Sequence, residues 1–150
     1  MAELAVAEPN WLAERRERAA SLSGELGLPE FKGVPGWEFT ELTGLELDGF
    51  ERASGSAPAP DSLLLEPPSG EPEGAVVMTL AEAAASEEYG PVVERYFGTI
   101  VPRTESDPFV ARNEAEWAEG AFVYVPKGVK VEVPVELHAT VRAGEALHWR

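Results

Sequence analysis

Residues 120–135, GAFVYVPKGVKVEVPV, decide how the fold of this chain is interpreted. From Val129 to Val133, valines alternate with charged residues, and this period of two places successive side chains on opposite faces of an extended chain. The pattern predicts a half-buried strand after a turn at Pro126-Lys127-Gly128. Strands this short need neighbouring strands to cover their apolar faces, and the sequence supplies few of them. We therefore expect the opening coils of a β-architecture whose continuation is missing or is supplied by a partner.

Upstream of Gly120, the apolar residues recur with the period of an α-helix instead. Four helices are predicted. The first has Asn10 as its N-cap and ends at Gly27 or Pro29, and the second covers Leu80–Ala85 behind the capping box of Thr79 and Glu82. The third has the apolar stripe Tyr89, Val92, Val93, Tyr96 and Phe97, and Pro91 either lies in its first turn or kinks it; the fourth is opened by Asp107 and Pro108 and ends at Gly120. The period thus changes from about 3.6 to 2 at a single glycine.

Two regions are predicted along the chain. Residues 1–106 form a mainly helical region with a short strand pair, for which Leu63–Leu65 and Ala75–Met78 are the candidate strands. Residues 107–150 contain a helix and the start of the β-region. Between Asp48 and Pro60 the sequence is rich in Gly, Ser, Ala and Pro, which is typical of a linker or surface loop.

Composition excludes several classes of function. The 150 residues carry 27 acidic and 12 basic side chains, and the net charge of −15 argues against nucleic acid and anionic membranes as partners. The densest basic run, Glu14 to Arg18, is interpreted as a solvated helix face. Cysteine is absent, which removes disulfides and thiolate ligands. No signal peptide or apolar membrane span is recognised, so a cytoplasmic protein is expected.

Two stretches of the sequence resemble the SufB/SufD family of the SUF system, which assembles iron–sulfur clusters. The first comprises Phe109, Asn113-Glu114-Ala115, Gly120 and the run from Phe122 to Val129, and it is similar to the helix-to-strand entrance of that family. The second, from Trp37 to Leu42, is similar to a pattern near the start of SufD subunits, where Trp37, Phe39 and Leu42 are expected to anchor the segment. The resemblance extends from about Leu28 to Arg150. It departs from the pattern at Glu38, where SufD-like sequences commonly have a basic residue.

The resemblance implies an α+β fold, with an N-terminal helical region followed by the first coils of a right-handed parallel β-helix that is incomplete in this chain. It implies a non-catalytic, SufD-like scaffold subunit that pairs with a SufB-like subunit as a heterodimer and acts with the SufC ATPase; a homodimer stays open. No cofactor is expected on this segment, since the iron–sulfur cluster would be handled by the assembled complex. Because the run Glu145–Trp149 meets the terminus without a turn, we expect a fragment.

Histidine offers the alternative to a scaffold. His138 and His148 are the two histidines of the chain, and with Glu136 or Glu145 they suggest a cupin-like, metal-dependent enzyme that uses His138. Metal sites on strands usually place their ligands closer together, as in H-x-H, so no metal site is predicted. Lys127 and Lys130 are interpreted as surface residues, and no catalytic arrangement of Ser, His and Asp is present.

Architectural roles are assigned to a set of apolar and turn residues around Gly120. The residues expected to pack in the coils are Phe122, Tyr124, Val129, Val131 and Val133, and those expected to set the turns are Gly120, Pro126 and Gly128.

Overall fold

The computed structural model of the chain describes residues 7–30, 32–33, 35–49, 51–52, 74–101, 107–117, 120–132, 134–135 and 146–147. In chain order its elements are α1 (Asn10–Glu25), a 3-10 turn (Leu47–Gly49), β1 (Glu51–Arg52), β2 (Val76–Thr79), α2 (Leu80–Ala85), α3 (Gly90–Tyr96), α4 (Pro108–Glu116), β3 (Ala121–Tyr124) and β4 (Ala146–Leu147). None of the helices formed by these residues is long and apolar enough to cross a bilayer.

Side-chain caps fix the starts of α2 and α4, as predicted. The Thr79 hydroxyl accepts a hydrogen bond from the Glu82 amide at 3.2 Å, and the Glu82 carboxylate accepts one from the Thr79 amide at 3.0 Å. The Asp107 carboxylate accepts from the amides of Phe109 and Val110 at 2.9 and 3.1 Å. Each cap satisfies amides that have no partner within the first turn of a helix.

The predicted N-cap of α1 is wrong. Pro9 takes that position with an extended backbone, and its carbonyl accepts from the amides of Leu12 and Ala13 at 3.0 and 3.1 Å. Asn10 is the first helical residue and its side chain makes no capping bond, because the chain is already helical there. The helix ends at Glu25, before Gly27.

The sheet of β2 and β3 joins the two regions predicted from the sequence. The strands are antiparallel, with Val76 opposite Tyr124 and Thr79 opposite Ala121. The candidate strand Leu63–Leu65 lies outside the described residues. Because α1 packs against α4 as well, the described parts on either side of residue 106 share one core.

The core is small and lies between the helices and the sheet. Its buried members form one cluster of Leu12, Ala83, Ala84, Val93 and Trp117. On the sheet side, the Tyr89 ring lies 5.5 Å from that of Phe122 and 5.7 Å from that of Tyr124. Phe122 and Tyr124 share one face of β3, as the period of two predicts.

After β3 the predicted turn is present, but the predicted strand is not. The Val129 amide donates to the Pro126 carbonyl at 3.1 Å, and Gly128 has a φ of 87°, which favours glycine. Residues 129–132 form no strand, since no other described strand lies beside them. Val131 is half-buried between the exposed Lys130 and Glu132, but Val129, which was expected to pack in the coils, is exposed.

A second pair of strands, which is parallel, joins β1 to β4. It is two residues long, with Glu51 opposite Ala146 and Arg52 opposite Leu147. The predicted terminal run Glu145–Trp149 is thus a strand over its two described residues.

Gly120 is placed where a side chain would collide with α2. Its carbonyl accepts from the Leu80 amide at 2.8 Å, and a Cβ at Gly120 would come within 2.9 Å of Leu80 Cδ2 and 3.0 Å of Leu80 Cβ. We expect Gly120→Val to lower the free energy of unfolding by about 1–3 kcal/mol, because overpacking forces its neighbours to shift. Urea unfolding followed by circular dichroism measures this change.

Gly24→Ala is the matched control, since Gly24 lies within α1 and a Cβ there would meet no atom within 4 Å. This variant should raise the free energy of unfolding by about 0.5–1 kcal/mol, because alanine loses less backbone entropy in a helix. Equal unfolding midpoints for Gly120→Val and the unsubstituted chain would contradict the close packing of Gly120 on Leu80.

Candidate functional site

An ion pair crosses the contact between α1 and α4. Arg15 Nε donates to Glu114 Oε1, and the Glu114 side chain is 7% exposed. The Arg15 guanidinium also lies over the Phe97 ring, with Cζ 5.2 Å from the ring centroid. The pair therefore places a charged group of α1 against both α4 and the end of α3.

Arg16 binds the C-terminal end of α4. Its Nη1 donates to the Ala115 carbonyl at 3.1 Å, one of the last carbonyls of the helix, which have no partner within the helix. Its Cζ lies 4.2 Å from the Trp117 ring centroid, and its Nε donates to Glu8 at 2.6 Å. A cation at this position also stabilises the negative end of the helix dipole.

Three aromatic rings connect α1, α3 and α4. The Trp11 and Phe97 rings lie 6.2 Å apart in an edge-to-face arrangement, and Phe97 and Trp117 lie 5.8 Å apart. Such pairs contribute stability beyond the area they bury. These three rings (Trp11, Phe97 and Trp117), which we call the aromatic wall, border the space between the helices.

Beside this wall lies a cleft of about 650 Å³, within the range typical of ligand pockets. Its lining comes from the end of α3, from α4, and from Arg15, Leu80 and Gly120. At its edge, Ile100 is 91% exposed, Val101 63% and Tyr96 58%. The cleft therefore continues into an exposed apolar surface, which we call the rim (Tyr96, Ile100 and Val101).

Two polar atoms of the lining residues have no hydrogen-bond partner in the part of the chain that the structure describes. They are Oδ1 of Asn113 and Nε1 of Trp117, both buried. Buried polar groups are almost always paired in native proteins, so each calls for a partner. Because both atoms are fully buried, neither is accessible from the open space of the cleft.

Tyr89 is a titratable group whose pKa is shifted by its surroundings. Burial raises the pKa of the Tyr89 phenol above its ordinary value, and the neighbouring Glu88 raises it further, so Tyr89 stays protonated at neutral pH. Tyr89 packs on the sheet, away from the residues that line the cleft. Within the described ranges, no group of three or more His, Asp or Glu side chains is arranged to hold a metal ion.

The turn at Trp37 is attached to α4 next to the cleft. The Trp37 ring stacks on Phe109, a residue of the cleft lining, with centroids 5.1 Å apart. The Thr40 amide donates to the Trp37 carbonyl at 3.2 Å, which closes a turn. Phe39 is 96% exposed, so its predicted anchoring role is wrong: the turn directs Trp37 inward and leaves Phe39 in solvent.

The other candidate residues from the sequence have mixed outcomes. Lys127 is exposed in its turn and Lys130 donates to Glu132 at 3.1 Å on the surface, as predicted. His138, His148 and the two accompanying glutamates, Glu136 and Glu145, lie outside the described residues.

The interpretation of the basic run as a solvated face is wrong in part. Glu14 and Arg18 are exposed, but the Arg15 and Arg16 side chains are only 26% and 23% exposed. The spacing of the arginines from Leu12, three and four positions, places them on the buried side of the helix. That spacing is the sequence signal that the charge pattern concealed.

Comparison with known proteins places about half of the chain in a protein family. Residues 64–137 match a family model described as the N-terminal region of SufBD proteins. An iron-sulfur cluster assembly SufBD family protein of Mycobacterium bovis is 39% identical over 51 residues, which are 34% of this chain and 6% of the relative. The iron-sulfur cluster assembly protein SufB of Bacillus subtilis is 35% identical over 60 residues, 40% of this chain and 13% of the relative. A SufBD family protein of Synechocystis is 32% identical over 73 residues, 49% of this chain and 15% of the relative.

The aligned segments thus cover between 6% and 15% of the length of these three relatives. The elements from β2 to β3 all lie within the matched residues, and they define the class of this unit as a SufBD N-terminal region. The chain belongs to the SufB/SufD family, as its sequence motifs predict.

Proposed function

We propose that this chain is part of a non-catalytic, SufD-like subunit of a cytoplasmic scaffold for iron–sulfur cluster assembly. The subunit pairs with a SufB-like subunit and acts with the SufC ATPase, and the cluster is the cargo of the complex. The observation that carries the proposal is the match of residues 64–137 to the SufBD N-terminal region, together with relatives named for iron-sulfur cluster assembly.

Two features favour SufD over SufB within this family. The segment from Trp37 to Leu42 has the pattern seen near the start of SufD subunits, and stacking on Phe109 gives Trp37 a structural role. The absence of cysteine fits a supporting subunit, because thiolates are the usual ligands of iron–sulfur clusters. One matched relative is named SufB, so the choice of SufD depends on these two features.

The described geometry supports a binding and architectural role. The ion pair of Arg15 with Glu114, the Arg16 contact with Trp117 and the aromatic wall fix the positions of α1, α3 and α4. A rigid helical unit with an apolar cleft suits a subunit that is held in a complex.

We also propose that the residues after Gly120 begin the parallel β-helix of the family. Phe122 and Tyr124 pack on one face, and Gly128 allows a tight turn after them. Val131 is half-buried between the exposed Lys130 and Glu132, which suits an extended segment that a neighbouring strand would cover.

Co-expression tests the scaffold assignment. The gene product that contains this chain is expressed with the SufB-like and SufC-like proteins of the same genome, and a tag on the SufC-like protein is used for purification. We expect all three proteins to elute together at fixed stoichiometry in size-exclusion chromatography. Co-elution of the SufB-like and SufC-like proteins without the product would contradict the proposal.

Metal analysis tests the cupin-like alternative in the same preparation. The scaffold assignment predicts that the product purified alone has no tightly bound stoichiometric metal that depends on His138. A stoichiometric metal that is lost in His138→Ala would favour the enzyme instead.

A further inference from the structure

Phe39 is held in solvent by an ordered turn. Its side chain is 96% exposed, although phenylalanine is among the residues most often buried. Two hydrogen bonds fix the turn: the Thr40 amide donates to the Trp37 carbonyl at 3.2 Å, and the Gly36 amide donates to the Glu38 carboxylate at 2.8 Å. Because the turn is already ordered, a surface that covers Phe39 does not have to order it first, and binding costs less entropy.

The turn is attached beside the cleft. Trp37 stacks on Phe109 with ring centroids 5.1 Å apart, and Phe109 belongs to the cleft lining. A tight turn keeps its first and fourth Cα atoms within about 7 Å, so Phe39 lies close to this stacked pair. Phe39 itself does not line the cleft. The chain therefore presents an exposed aromatic ring and an open apolar cleft next to each other.

Two copies of the chain can cover these features reciprocally. In a two-fold symmetric contact, residue i of one copy meets residue j of the other, and j meets i. The Phe39 ring of each copy would enter the cleft of the other and cover its rim, where Ile100 is 91% exposed and Val101 63%. The cleft of about 650 Å³ is of a size that holds drug-sized ligands, so it has room for one phenyl ring.

The charges beside the two features have opposite signs. Glu38 and Glu41 flank Phe39 and are exposed. At the rim, the exposed Arg95 guanidinium lies over the Tyr96 ring, with Cζ 5.3 Å from the ring centroid. The acidic turn of one copy would meet the arginine of the other, which sets the orientation more than the affinity. We propose that the chain self-associates through this reciprocal contact, in which Phe39 of each copy is inserted into the cleft of the other.

The size of the contact predicts a weak dimer, whatever the family of the chain. An aromatic side chain buries about 150–250 Å². Two such side chains and two rims lie near the lower end of the about 1,200–2,000 Å² that stable interfaces bury. The net charge of −15 opposes association further. We expect a dissociation constant on the order of 100 µM, measured by sedimentation velocity on the 150-residue chain up to about 1 mM.

Truncation tests the inserted ring and the rim. Phe39→Ala should raise the dissociation constant at least about tenfold and Ile100→Ala about fivefold, because buried aromatic residues contribute most at interfaces. Both side chains are exposed in a single copy, so the variants should keep the circular dichroism of the unsubstituted chain. Val123→Ala is the matched control: it truncates an apolar side chain that is 42% exposed and lies outside the cleft lining. It should dimerise as the unsubstituted chain does.

Charge reversal tests the orientation of the two copies. Arg95→Glu should raise the dissociation constant about threefold, since exposed ion pairs contribute little. Lys127→Glu changes the net charge by the same amount at an exposed turn outside the cleft lining, so it controls for general repulsion. A larger effect of Arg95→Glu than of Lys127→Glu supports the contact.

Cross-linking tests which surfaces meet. The chain has no cysteine, so an introduced thiol is the only one present. Chains with Thr40→Cys, next to Phe39, are mixed with chains with Thr99→Cys, next to the rim, and are oxidised with glutathione disulfide. This mixture should form the mixed disulfide at least about tenfold faster than a mixture of Thr40→Cys with Lys127→Cys, because only the first pair is held together in the dimer.

Three results would overturn the proposal. A chain that stays monomeric at about 1 mM would leave the rim to a different protein. A dimer that Phe39→Ala does not weaken would bury another surface. Equal cross-linking rates in the two mixtures would show that the turn and the rim do not meet. The cross-linked variants keep both Phe39 and the rim, so this comparison decides the matter even if Ile100→Ala does not fold.

Discussion

Trp117→Ala is expected to lower the free energy of unfolding by about 3–5 kcal/mol, because truncation of a buried aromatic side chain removes apolar burial and leaves a cavity. Trp117 belongs to the core cluster and is 5% exposed. Its ring contacts Phe97 at 5.8 Å and the Arg16 guanidinium at 4.2 Å, so three helices lose a shared contact. Chemical unfolding followed by circular dichroism is the measurement, since the substitution itself alters the fluorescence.

Phe39→Ala provides the comparison for that loss. It also deletes an aromatic side chain, but Phe39 is 96% exposed, so the free energy of unfolding should change by no more than about 0.5 kcal/mol. Similar losses for the two variants would mean that Trp117 does not occupy the core as described.

Local chemistry made several elements predictable from the sequence. The capping box of Thr79 and Glu82 and the cap at Asp107 depend on contacts within three residues, so the starts of α2 and α4 follow from the sequence alone. The same holds for the turn at Gly128, where glycine takes the left-handed backbone.

Contacts between distant residues were not predictable in this way. The sheet register pairs Val76 with Tyr124, and nothing near either residue specifies the other. Phe39 and Trp37 are both aromatic and two positions apart, yet only Trp37 meets a partner, because Phe109 approaches from α4. Whether an aromatic residue anchors a turn depends on what packs against it.

The cleft was not predictable from the sequence for the same reason, since it also depends on contacts between distant residues. Its lining combines Arg15 from α1, Leu80 from α2 and Trp117 after α4, and these come together only when the helices pack. The charge pattern around Arg15 suggests a solvated face, whereas its spacing from Leu12 suggests a buried one. In the structure Arg15 is largely buried, as its spacing from Leu12 suggests, because the Glu114 carboxylate of α4 pairs with its guanidinium.

Glu114→Ala should lower the free energy of unfolding by about 2–3 kcal/mol. Removal of one partner of a buried ion pair leaves the other charge in a poorly solvated position, at a cost of about 3–5 kcal/mol for a fully buried pair. The Arg15 side chain is 26% exposed, so water screens part of that cost. Urea unfolding of Glu114→Ala, Arg15→Ala and the double variant gives the coupling between the two residues.

The surface ion pair of Lys130 and Glu132 is the control for the buried pair of Arg15 and Glu114. These side chains are 84% and 77% exposed, so Lys130→Ala should change the free energy of unfolding by no more than about 0.5 kcal/mol.

A double variant of Arg15 and Glu114 that loses as much stability as the two single variants combined would show no coupling. The ion pair would then add nothing to the contact between α1 and α4, and Arg15 would contribute through its position over Phe97.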